Sequence, residues 1–86
     1  MKAKLKRSIL LVLLACDGMP MPEAALLSAV ALNARPDEPT DDDIGNALKD
    51  CQAEGFVLGA TDDFSKERTW SLAEPKGVHK ARQLRR

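Results

Sequence analysis

The stretch TDDDIGNALKDCQAEGFVLGATDDFSKERTWSL, Thr40 to Leu72, constrains this chain more than any other part of it. Thr40 is suited to cap a helix, and Asp43, three residues on, completes a capping-box arrangement. Asp41, Asp42 and Asp43 then occupy the first turn, where the helix dipole favours anions. Ile44, Ala47, Leu48 and Cys51 recur at helical spacing and form a face that must be buried. By 3.6-residue geometry Asp42, Asn46, Lys49 and Ala53 make the outward stripe. Gly55 is the stop, so a helix is expected over about 40–55. Phe56–Ala60 and Arg68–Leu72 read as two strands, joined by the turn-rich segment TDDFSKE. The hairpin therefore spans about 56–72. Trp70 and Leu72 share one strand face and are expected to close the core, with base stacking by Trp70 as the rarer alternative. Phe64, in the loop, either folds back or lies exposed.

Upstream, Leu5, Ile9, Val12 and Cys16 fall on one face of a helix expected over about 3–16. Leu10, Leu11 and Leu14 point roughly the other way. A helix apolar on both sides is central to a core or carries a second interface. Asp17-Gly18 is expected to end it, glycine being suited to the left-handed position after a helix. Pro22 suits the first turn of a second helix, with Glu23 near its positive end, over about 22–35. Pro36 disfavours helix before it, and RPDEP, residues 35–39, reads as a polar loop. At the other end, Glu74-Pro75 opens a helix over about 75–84 whose thin apolar line is Val78, Ala81 and Leu84. That line needs a partner, and the spare face of the first helix is the natural one, in the same chain or in a second copy. A homodimer built from Leu10, Leu14, Val78 and Ala81 is expected.

These elements make an α+β chain, mostly helical, and its 86 residues amount to one small domain with little core to spare. Few aromatics and much Leu and Ala favour helix over sheet. The net charge is zero but unevenly spread. Lys2, Lys4, Lys6 and Arg7 lie at one end, and Lys76, Lys80, Arg82, Arg85 and Arg86 at the other. The middle holds all thirteen acids. The basic ends are solvated termini or arms that contact phosphates or an acidic partner.

Cys16 and Cys51 have no zinc spacing, and both fall on apolar helix faces, as buried reduced thiols do. That points to the cytoplasm. The start, MKAKLKRSILLVLLACDG, also resembles a lipoprotein signal ending at Cys16. The apolar run is short for one and far too short to span a bilayer. No enzyme chemistry is in view. His79 is the only histidine, neighbouring Asp42 and Asp43 diverge on a helix, Asp41–Asp43 lacks calcium-loop spacing, and there is no glycine-rich phosphate loop. Neither cofactor nor metal is expected.

ILLVLL, IGNALKDCQAEGFV and RTWSLAEPKG together resemble the winged helix-turn-helix family, in particular MarR-like and PadR-like bacterial regulators, from about Ile9 to Gly77. The resemblance implies a three-helix core, a two-stranded wing and a short C-terminal helix. It further implies a small, dimeric transcriptional regulator whose recognition helix enters the major groove of duplex DNA while the wing touches adjacent backbone. Carried over by position, the recognition helix presents Asp42, Asp43, Asn46, Lys49 and Asp50, and the wing presents Lys66 and Arg68. Asn46, Lys49, Lys66 and Arg68 are then the DNA-binding candidates. The chain departs from the family where regulators show serine, threonine and arginine and this sequence has DDD. Carboxylates there repel phosphate, although Asp can accept from cytosine and Asn46 can read adenine. The competing reading is a protein-interaction module in which Asp42, Asp43 and Asp50 attract a basic partner.

Overall fold

The computed structural model describes residues 2–16, 19–34 and 37–85. Four helices and one three-stranded antiparallel sheet follow one another as α1 (Lys2–Ala15), β1 (Met21–Pro22), α2 (Glu23–Asn33), α3 (Asp41–Ala53), β2 (Val57–Thr61), β3 (Arg68–Leu72) and α4 (Lys76–Arg85). The expected stop at Asp17-Gly18 and the boundary at Arg35-Pro36 lie outside the described residues.

The capping signal at Thr40 forms as expected. Its hydroxyl accepts from the Asp43 amide, and the Asp43 carboxylate accepts from the Thr40 amide, both at 3.1 Å. Ile44, Ala47, Leu48 and Cys51 are buried. Glu54 caps the C-terminus and Gly55 follows at φ +80°, the left-handed conformation that glycine adopts without strain. The chain then turns directly into β2.

The hairpin is not two-stranded on its own. β1 adds to it, giving the order β1-β3-β2, with Met21 opposite Trp70 and Pro22 opposite Thr69. Pro22 therefore sits before α2, at φ −58° and ψ 142°, and not inside its first turn. Two features explain the difference. A residue preceding proline is driven into extended backbone, and Met21 precedes Pro22. Proline, lacking an N–H, is tolerated at a sheet edge. In the main register Val57 faces Leu72 and Gly59 faces Trp70. Val57, Trp70 and Leu72 are all buried, so this side of the sheet lies on the helices. The Trp70 indole N–H donates to Glu23 Oε1 at 3.2 Å, tying β3 to the start of α2.

One core runs through the molecule. Ile9, Ile44, Leu48, Cys51, Trp70 and Leu72 join it as expected, with Leu26 and Val30 from α2, while Val12 and Phe56 are only partly buried against it. Leu5, Leu10, Leu13, Ala34, Ala47, Val57 and Ala81 are further members. The second apolar side of α1 finds its partner within the same chain. Leu10 is 2% exposed and Ala81 is fully buried, with Leu14 and Val78 partly buried beside them. Of the residues expected to build a homodimer, Leu10 and Ala81 are thus buried by the packing of α4 along α1. A single small core needed this covering, which is why the spare face exists.

The start of α4 is held at van der Waals limits. Ala73 donates its amide to the Phe56 carbonyl at 2.9 Å, and Gly77 lies so close to that oxygen that a Cβ would stand 1.9 Å from it. Gly77→Ala in an unconstrained helix adds about 0.5–1 kcal/mol of stability. Here it forces backbone apart, and overpacking of this kind costs about 1–3 kcal/mol. Urea denaturation followed by circular dichroism is expected to show a net loss, and a gain in stability would contradict the packing of α4 on Phe56.

Candidate functional site

The exposed face of α3 and the hairpin tip carry the residues singled out in the sequence. Asp41, Asp42, Asn46 and Lys49 are exposed on α3, and Asp50 is partly buried. Asn46 and Lys49 lie one turn apart on the outward stripe. The Asp43 carboxylate is turned back onto its own helix end by the capping bond to Thr40, so it is partly spent structurally. Lys66 and Arg68 lie on the other element. Lys66 adopts φ 62° at the tip, and the Arg68 guanidinium stacks 5.6 Å from the centroid of the Trp70 ring. That cation–π contact holds Arg68 against the sheet.

The tip itself is an ordered turn built on Asp62. Its carboxylate accepts from the Phe64 amide at 3.2 Å and the Ser65 hydroxyl at 2.8 Å. Its carbonyl accepts from Lys66 N at 2.7 Å and its amide donates to the Glu67 carbonyl at 2.9 Å. The Ser65 hydroxyl also accepts from Glu67 N at 3.2 Å. Asp62 is an Asx-turn residue in a position its type favours. The bond from Ser65, and next that from the Phe64 amide, holds its pKa below the ordinary carboxylate value. The turn projects Phe64 outward, 97% exposed.

The basic ends converge on α1 and α4. Lys4 pairs with Asp37 at 2.6 Å, which depresses the Asp37 pKa. Lys6 pairs with Glu54, and that hydrogen bond raises the Lys6 pKa. The Arg7 guanidinium donates to the Leu84 carbonyl at 3.3 Å. Lys76 lies 5.1 Å from the Phe56 ring centroid. Between these helices and the end of α3 is an open groove of about 280 Å³, with Leu10, Phe56 and Leu84 as its apolar lining and Lys6, Arg7 and Lys80 among its polar groups. Sequence reading missed this groove, because it arises from three segments distant in the chain. The signal within reach was that Lys2–Arg7 and Lys76–Arg85 contain no acid at all.

Both thiols are free, Cys51 buried and Cys16 partly so. Burial pushes the Cys51 pKa up to about 11, which suppresses thiolate chemistry there. The Cys16 thiol lies 3.5 Å from the Val12 carbonyl and 3.9 Å from Met21 Sδ. Among the described residues no group of His, Cys, Asp and Glu could hold a metal ion, and no helix is long and apolar enough to cross a membrane. No protein-family model, no curated protein and no solved structure matches the chain.

The turn has a pH signature. Asp62 has a folded pKa below its ordinary value of 3.8. Its contribution to the turn is therefore complete above the unfolded value and is lost as pH falls through the lower folded value. Ser65→Ala removes the largest cause, so the Asp62 midpoint should rise towards 3.8 in a carboxyl NMR titration. A wild-type midpoint already at the ordinary value would mean that the Asp62 contacts do not form.

Proposed function

We propose that this chain is a winged-helix protein-interaction module whose acidic α3 face and wing dock a basic partner surface. The element order supports the winged-helix part of this reading: a capped third helix runs through a glycine stop into a hairpin, and α1 and α2 pack beneath it. The charge of that face carries the functional part. From Thr40 to Arg68 the chain has eight acids against the three bases Lys49, Lys66 and Arg68, a balance of minus five. DNA affinity rests on neutralised phosphates, and three cations among eight carboxylates supply little of it. The N-terminal bases do not repair the deficit. Lys4 and Lys6 are paired with Asp37 and Glu54, and Arg7 holds a carbonyl.

The second reading is a small DNA-binding regulator. It is favoured by the exposed pair Asn46 and Lys49 on the outward stripe, one able to read adenine and the other to hold phosphate. The two readings give opposite signs in one experiment. Asp41→Ser/Asp42→Ser removes two exposed charges while leaving the Thr40–Asp43 capping box intact. The double variant should bind a lysine-rich peptide more weakly than the wild type, and neither protein should shift mixed duplex DNA at low salt. Tighter duplex binding by the variant, together with a salt dependence that flattens by about one ion when Lys49 is replaced by Ala, would establish the DNA reading instead.

A further inference from the structure

The two halves of the charge pattern are complementary to each other, and each presents an apolar feature, an exposed ring on the hairpin and a groove between α1 and α4. On the hairpin, Phe64 stands 97% exposed between Asp63 and Ser65. Several hydrogen bonds centred on Asp62 order the turn, so the ring is presented by a formed structure and not by slack chain. Presenting an anchor in a preformed turn lowers the ordering cost of docking. Elsewhere on the molecule, the α1–α4 groove is lined by Leu10, Phe56 and Leu84. Its volume of about 280 Å³ exceeds the roughly 150 Å³ that suffices for benzene. Arg7 and Lys80 stand at this groove, while Glu54, its acid, is already neutralised by Lys6.

We propose that the occupant of this groove is the wing tip of a second copy of the chain, with Phe64 seated on Phe56 and Leu84 and with Asp63 meeting Lys80. This rests on the reading of the wing as a docking element and names its partner. The match is one of both shape and charge: an aromatic ring flanked by acid enters an apolar slot flanked by bases. Because tip and groove are different surfaces of one molecule, the contact is heterologous. It leaves a free tip at one end and a free groove at the other, so assembly continues beyond two copies unless a ring closes.

Sedimentation of the full chain over a concentration series tests this. The wild type should associate beyond a dimer, and more weakly as salt rises, since the charges at the groove are screened. Phe64→Ala and Lys80→Glu should each weaken association by at least about tenfold, as loss of an interface anchor does. Circular dichroism spectra superimposable on the wild type would show that both variants fold. An equimolar mixture of the two should recover one contact, from the Lys80→Glu tip into the Phe64→Ala groove, and stop at a pair. A wild-type monomer at every concentration, or association unchanged by Phe64→Ala, would overturn the proposal. Either result leaves the lysine-rich peptide experiment on α3 standing, so failure of the self-contact is distinguishable from failure of the module reading.

Discussion

The burial of α1 on two sides is the constraint on which the other elements depend. Leu5 and Ile9 lie along one stripe, Leu10 on another and Leu13 between them, and all are at most 2% exposed. Burying such a side chain contributes about 1.5–3 kcal/mol. A single core of this size is only marginally able to offset its chain entropy, so leaving the second stripe in water would be costly. The helices α2 and α3 and the sheet cover one side, and α4 covers the other. The close approach of Gly77 to the Phe56 carbonyl follows from that demand, since α4 must come down onto the chain just after α3 to reach α1.

The local elements were legible because their signals are local. Thr40 and Asp43 specify a helix start within four residues, Gly55 its end, and the apolar period of Ile44, Ala47, Leu48 and Cys51 its inner face. The β2–β3 hairpin follows from alternation and a turn-rich loop. Strand β1 was not legible, because two residues of extended chain gain meaning only from what they pair with; MPMP looks like a helix lead-in until Trp70 and Thr69 are brought beside it. The destination of the second α1 stripe was likewise a choice between two partners that sequence offers equally. Leu13 was missed for a different reason: it falls between the two stripes by angle, and full burial reached it only because both sides of the helix are covered.

For the candidate surface, the identities of the exposed α3 residues were legible and their availability was not. Asp43 belongs partly to the helix cap, and Arg68 belongs partly to the Trp70 ring. Each residue has a structural partner that a position-by-position reading of the outward stripe does not reveal. The tip shows the same effect in reverse. Asp62 reads as one more acid in the loop, yet its carboxylate organises the turn, and the exposed Phe64 is the consequence.

Charge segregation links these observations. Acids cannot be placed on the buried faces of α1 or α4, and every charged residue of α1 and α4 is basic. Two clusters of acids stand out, one at the start of α3 and one at the hairpin tip. At the start of α3 the helix dipole and the capping box favour them, and at the tip the Asx turn does. Local stability thus explains Asp43 and Asp62 without any partner. The helix dipole likewise favours Asp41 and Asp42, but no such account covers Asp63, which satisfies no turn bond among the described residues and adds repulsion to a surface already negative. Nor does local stability explain an aromatic ring left in water at the end of an ordered turn. Asp63 and Phe64 are the two side chains for which folding physics alone gives no reason, and they are the ones that the proposed contact between copies uses.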